Sequence, residues 1–275
     1  MDINSGYKLK NGIILPCIGL GAYKLGDRTV SSVLAALAAG YRMIDTASRY
    51  ENEAEVGEAV RKSGIPREEI FITTKVWNED QRNHTQREAF EASLQRLGMD
   101  YVDMYMVHWA IEGRFVETWQ ILLDLYEQKR VRVIGVCNFE IPHLEELWAR
   151  TGVLPMVNQI EIHPKNTRKE LIAWCKAHGI QVEAWAPLGS GMVLGLPELA
   201  EIAARHGRTP AQVILRWDLQ NGIAVIPRST SPERIAQNAD IFDFELSDEE
   251  MSAIDALNEN WINPLSGGDP NNVTF

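Results

Sequence analysis

Little in the sequence points to disulfides, metal, membrane or nucleic acid. Cysteine is scarce, with only Cys17, Cys137 and Cys175 present, and none of them forms a CxxC pair. So odd and sparse a set argues against a disulfide framework and suits a reducing cytosol. His84, His143, His163, His178 and His206 show no HxH or HxxxH pairing, so the ligand spacing of a metal-dependent enzyme is missing. No apolar run approaches the roughly 20 residues that span a bilayer. The opening stretch MDINSGYKLKNG has no apolar core of a secretory signal, and a cytoplasmic protein is expected. Positive charge is in deficit. Lys and Arg number 27 against 38 Asp and Glu, a net charge of −11, which argues against a general nucleic-acid surface. A dinucleotide fingerprint is also lacking: GLGAYKLG has glycines, but no clear helix begins at their end.

What is present is the composition of an ordinary soluble globular protein, 45% hydrophobic and 24% charged over 275 residues. No break in composition marks a linker, so one domain over residues 1–275 is expected. The polar tail SGGDPNNVTF is the one stretch expected to lack order. YKLKNGIILP reads as a hairpin with Asn11-Gly12 in a type I′ turn. Eight short apolar or β-branched runs follow: IGLGAY, YRMIDT, IFITTKV, VDMYMVHW, RVIGVCNF, MVNQIEI, QVEAWAPL and IAVIPRS. Between most of them lie segments with helical spacing. TQREAFEASLQRLG sets Ala89, Phe90, Leu94 and Leu97 on one face and stops at Gly98. Strand and helix in alternation predict a parallel sheet covered by helices. About eight such units suit a closed (β/α)8 barrel, with the hairpin plugging its bottom. An open doubly wound sheet is the alternative.

In a barrel the reactive groups belong at the C-terminal ends of the strands and in the loops beyond. Those positions hold Asp45, Lys75, His108, Asn138, Gln159 and Trp185, with Tyr50 in the loop after Asp45. Each alone has a plainer reading. A strand-end Asp caps a helix, a Lys snorkels to solvent, and a His satisfies itself in a core. Gathered on adjacent strands, they are harder to explain so.

The segments GYRMIDTASRYENEAEVG, TTKVWN, DMYMVHW, GVCNF, NQIEIHP and IPRSTSPERIAQN resemble, in order, the successive signatures of the aldo-keto reductase superfamily. Among its members the likeness is to short bacterial reductases such as those of 2,5-diketo-D-gluconate. The resemblance implies a TIM barrel that reduces the carbonyl of a small molecule with NADPH, with Asp45, Tyr50, Lys75 and His108 as a catalytic tetrad. A carbonyl that accepts a hydride needs a proton donor at its oxygen. Tyr50 is that donor in this reading, made more acidic by the Lys75 ammonium. Asp45 keeps Lys75 charged, and His108 orients the carbonyl. No metal is required.

By the same resemblance Asn138 and Gln159 hold the nicotinamide carboxamide, and Trp185 stacks on its ring. Cys137 stands where the family usually has Ser, with a thiol that donates only weakly. Arg228, Ser229, Thr230, Arg234 and Asn238 match the segment that grips the adenosine end. The two arginines are otherwise read as a solvated helix start. Tyr23, Trp77, Trp109 and His108 match the substrate walls, and LSGGDPNNVTF the C-terminal substrate loop. A monomer is expected, since no heptad or interface-like patch stands out. A nicotinamide-binding regulatory barrel with little turnover is the competing function.

Overall fold

The computed structural model describes residues 1–264 and 268–275. It opens with an antiparallel hairpin of β1 (Gly6–Lys8) and β2 (Ile14–Pro16). The turn differs from the one expected. Gly12 has φ +87° but Asn11 is not left-handed, whereas a type I′ turn needs both central residues there. Gly12 N donates to Leu9 O at 2.8 Å and Leu9 N to Ile13 O at 2.8 Å. This is a three-residue loop closed by a left-handed glycine. The amide of Asn11 reaches Arg132 O at 3.0 Å, and Tyr7 Oη donates to Leu219 O and Ile223 O, each at 3.3 Å. The hairpin is thereby fixed across the N-terminal ends of the later strands.

Eight parallel strands follow: β3 (Leu20–Gly21), β4 (Met43–Asp45), β5 (Phe71–Val76), β6 (Val102–Val107), β7 (Val131–Cys137), β8 (Val157–Glu161), β9 (Gln181–Trp185) and β10 (Ala224–Ile226). Seven of them fall within the runs read from the sequence, and β7 begins one residue earlier than its run, at Val131. They pair in chain order, and the two ends meet. Ile18 bridges Val225 in parallel, Gly19 N donates to Val225 O at 2.9 Å, and Gly21 N to Pro227 O at 3.2 Å. The sheet is therefore a closed barrel, not an open one.

The closing strand is short and glycine-bearing for a steric reason. A Cβ on Gly19 would lie 2.8 Å from the Met43 side chain, and one on Gly21 would lie 2.8 Å from Ile226 O. Strands β5 and β6 are buried along their whole length, as expected where side chains face the barrel interior on one side and helices on the other. The helix Gln86–Leu97 turns Ala89, Phe90, Leu94 and Leu97 inward and ends on Gly98 at φ +63°. Among the described residues no helix is long and apolar enough to cross a membrane.

Candidate active site

At the C-terminal rim the sequence places polar groups where a plain core would hold aliphatics. Asp45 closes β4 and Lys75 lies near the end of β5, both almost wholly buried. Lys75 Nζ donates to Asp45 Oδ1 at 2.7 Å, Asp45 Oδ2 at 2.8 Å and Thr46 O at 3.0 Å. A buried ammonium requires such a set, because removing its counter-charge would strand a charge in a dry interior.

The loop after β4 brings Tyr50 over this pair. Ser48–Tyr50 form a 3-10 turn, with Tyr50 N donating to Ala47 O at 2.9 Å. Ser48 Oγ donates to Lys75 O at 3.0 Å. Asn52 begins the helix Glu53–Ser63 without capping it by its side chain. That side chain instead accepts from Thr46 Oγ1 at 2.8 Å and donates to Ala22 O at 2.8 Å. The loop is pinned at both ends. Lys75 Nζ then lies 3.5 Å from Tyr50 Oη.

His108 follows β6 and packs edge-on against Tyr50 and Trp77, with ring centroids 5.7 and 5.0 Å away. Its Nδ1 is buried without a hydrogen-bond partner among the described residues. A buried N–H lacking an acceptor is rarer than a buried lone pair lacking a donor, which favours placing the proton of the neutral ring on Nε2. Burial, with Lys75 and Arg49 adding to it, holds the imidazole well below its ordinary 6.5. Burial pushes the Tyr50 phenol up, while the Lys75 ammonium pulls the other way. The acidifying influence of Lys75 is present, but the net shift is opposite to the expected one. Burial also works to lower Lys75; the Asp45 carboxylate outweighs it, and the ammonium is held above its ordinary value. Phenol protonated, imidazole neutral and lysine charged is the state these forces define near neutrality.

Asn138, at the end of β7, stands in the left-handed region with φ +62°. Its Nδ2 donates to His108 O at 3.1 Å and its Oδ1 accepts from Trp185 Nε1 at 2.9 Å. Gln159 Nε2 faces Asp45 Oδ2 at 2.8 Å and Glu183 Oε2 at 2.5 Å. Cys137 is buried, and its thiol donates to Gln159 Oε1 at 3.5 Å. In place of the usual hydroxyl, the thiol turns inward to this amide.

Beyond β10, Arg228 is exposed, Ser229 buried, Thr230 half-buried and Arg234 exposed. Ser231 caps the helix Pro232–Ala239, its Oγ accepting from Arg234 N at 3.3 Å. Asn238 is buried on that helix and Glu233 is exposed. Among the described residues neither arginine has an ion-pair partner. Two unpaired guanidinium groups beside a helix N-terminus are a donor set suited to a phosphate. Arg228 Nη1 reaches Lys24 O at 3.5 Å, and Lys24 Nζ lies 4.9 Å from the Tyr23 ring. The loop of Tyr23 thereby joins this set to the barrel mouth.

Tyr23 packs on Tyr50 with centroids 4.9 Å apart. Trp77 and Trp109 meet a partner that the sequence reading did not single out. The Phe275 ring stacks on Trp77 at 6.2 Å and meets Trp109 edge-on at 5.3 Å. Its main-chain oxygen accepts from Asn78 Nδ2 at 3.2 Å and Arg82 Nη2 at 2.9 Å. Of the proposed substrate loop, residues 265–267 lie outside the described residues. Glu183 was also missed, although an acid inside an otherwise apolar strand run was a readable signal.

A protonated phenol beside a neutral imidazole, at the C-terminal rim of a closed barrel, can hand a proton to a bound oxygen atom, chemistry that suits a barrel oxidoreductase. The chain belongs to the aldo/keto reductase family, whose model matches residues 17–259. A glyoxal reductase of Bacillus subtilis is 52% identical over 254 residues, 92% of either chain. MGS-M4, an aldo-keto reductase from a Medee basin deep-sea metagenome library, superposes with a TM-score of 0.94 at 42% identity, over 98% of this chain and 100% of that one. A mutant of Gox0644 solved in complex with NADPH superposes with a TM-score of 0.92 at 41% identity, over 98% of each chain.

Proposed function

We propose that the protein reduces small aldehydes, ketones or keto-sugar acids to alcohols with NADPH, Tyr50 serving as general acid. The observation that carries this is the buried Lys75, shared between Asp45 at 2.7 Å and the Tyr50 hydroxyl at 3.5 Å. NADPH, when bound, supplies the hydride that reduces the carbonyl carbon. Trp185, Asn138 and Gln159 hold its nicotinamide end. Arg228, Ser229, Thr230, Arg234 and Asn238 hold its adenosine end, the unpaired arginines meeting the 2′-phosphate.

The residues around the carbonyl have separate tasks. His108 Nε2–H polarises and orients the carbonyl oxygen. Tyr50 delivers its proton to that oxygen as negative charge develops there. Lys75 stabilises the phenolate left behind, and Asp45 keeps Lys75 charged and in place. Tyr23, Trp77 and Trp109 wall the site with aromatic rings and limit it to small substrates. Glyoxal-like dicarbonyls and keto-aldonates such as 2,5-diketo-D-gluconate are the substrate classes favoured, the former by the Bacillus relative and the latter by the sequence motifs. The chain acts as one barrel domain over residues 1–275, as a cytoplasmic monomer. Its net charge of −11 argues against a nucleic-acid partner.

The test is NADPH oxidation by the purified protein over a panel of aldehydes, dicarbonyls and keto-sugars. Turnover with small dicarbonyls is the expected result. Tight NADPH binding with no turnover on any of them would favour a regulatory barrel.

A further inference from the structure

Glu183 is a buried acid that the reduction chemistry above does not use. It faces the barrel interior from β9, in register with Gln159 on β8 and two residues before Trp185. The Gln159 amide nitrogen has two hydrogens, and two carboxyl oxygens take them, Asp45 Oδ2 at 2.8 Å and Glu183 Oε2 at 2.5 Å. With its nitrogen held on both sides, Gln159 can turn only its oxygen toward a ligand. That oxygen already accepts from the Cys137 thiol at 3.5 Å.

The charges in this interior constrain Glu183 further. Among the described residues Lys75 is the one cation within bonding reach of Asp45, and Asp45 already matches it. A second carboxylate would be an unmatched charge in a dry barrel. Among the described residues Glu183 Oε1 is buried with no hydrogen-bond partner, so an anionic carboxylate here would be neither charge-paired nor fully hydrogen-bonded.

We propose that Glu183 is a positioning residue for carbonyl reduction: together with Asp45 it locks the Gln159 carboxamide in one orientation, and its uncharged form leaves Asp45 as the sole counter-charge of Lys75. This rests on the reductase reading, in which Gln159 meets the nicotinamide and Lys75 serves Tyr50. Burial, followed by Asp45, pushes the Glu183 carboxyl up to about 8, with Gln159 and Lys75 opposing. The other shifted groups of the site are moved out of that range. Burial drives Cys137 and Tyr50 upward, the Asp45 carboxylate holds Lys75 high against its burial, and burial drives His108 downward. Raising pH through 8 therefore places a second negative charge beneath Lys75 and draws on the same amide that Asp45 uses.

The experiment compares wild type with Glu183→Gln and Glu183→Leu, reading kcat and NADPH affinity from pH 6 to 10 together with Tm. Wild type is expected to show an inflection near pH 8 that Glu183→Gln, which cannot ionise, abolishes. Glu183→Leu frees one side of the Gln159 amide and is expected to weaken NADPH binding about tenfold at pH 7, in a protein whose Tm shows it still folded. Affinity is measured by quenching of tryptophan fluorescence and needs no turnover. Coincident pH profiles for wild type and Glu183→Gln, or unchanged NADPH affinity in Glu183→Leu, overturn the proposal. Failure of the wild type itself to bind NADPH would overturn the reductase reading beneath it.

Discussion

The indole N–H of Trp185 donates to Asn138 Oδ1 at 2.9 Å, so the residue that follows β7 and the last residue of β9 together set the position of one aromatic face. Asn138 adopts φ +62°, a conformation that Asn tolerates better than most residues with a side chain. Its amide then reaches both His108 O and Trp185. Trp185→Phe keeps a ring for stacking but loses the N–H. The expected outcome is weaker NADPH binding by about twofold to tenfold, the range of one hydrogen bond at about 0.5–1.5 kcal/mol. Titration calorimetry with NADPH checks it, and equal affinity in the two proteins would mean the bond does not orient the ring.

Tyr50 and Lys75 should fail differently. Tyr50→Phe removes only the proton donor, so kcat falls by about 10²–10⁴-fold, the usual share of a general acid, while NADPH binding and Tm persist. Lys75→Met leaves Asp45 buried without its cation, and a broken buried pair costs about 3–5 kcal/mol. That variant loses both activity and stability. Steady-state kinetics with urea denaturation separates the two cases. A Tyr50→Phe enzyme with near-normal kcat would remove Tyr50 from the chemistry.

Acid should destabilise the protein partly through His108. Its imidazole is held well below 6.5 by burial, with Lys75 and Arg49 reinforcing. Below pH 6.5 the unfolded chain takes up a proton that the folded site refuses, so stability is full above that pH and is lost as pH falls. One such group contributes a slope of up to about 1.4 kcal/mol per pH unit. His143, also lowered by burial, adds to it. Urea midpoints between pH 4.5 and 7.5 should show a shallower dependence in His108→Gln than in wild type. Parallel curves would contradict the buried neutral imidazole.

Much of the barrel was legible because buried parallel strands are continuous apolar runs, and each of the eight appears in its place. The helix Gln86–Leu97 was legible because its apolar residues recur with helical spacing. Other features depend on information that spacing does not carry. Asn-Gly serves both a type I′ turn and a longer loop ending in a left-handed glycine, and the contacts of Asn11 with the barrel floor decided between them. Glu183 sits in a strand whose inward parity is fixed only by its register with Gln159. Phe275 reaches Trp77 and Trp109 from the far end of the chain, and no local pattern announces such a contact. For Tyr50, proximity to Lys75 suggested a more acidic phenol, but the depth of burial reversed the net direction.

In the proposed reading, cofactor choice rests on the segment after β10. NADPH carries a 2′-phosphate where NADH has a hydroxyl, and discrimination requires cations that are free to meet it. Arg228 and Arg234 are both exposed and have no ion-pair partner among the described residues. Ser229 Oγ accepts from Ser231 N at 3.1 Å, which fixes the turn while leaving its hydroxyl hydrogen to donate. Glu233 is the nearest acid in sequence and points to solvent, leaving a ribose diol without a carboxylate to accept from it. A charge-assisted hydrogen bond contributes about 1.5–3 kcal/mol, and exposure of Arg228 reduces this through solvent screening. Arg228→Gly should therefore raise the KM for NADPH roughly tenfold or more and leave that for NADH nearly unchanged. Parallel kinetics with the two cofactors checks the difference. Equal weakening toward both would show that Arg228 shapes the loop rather than reads the phosphate.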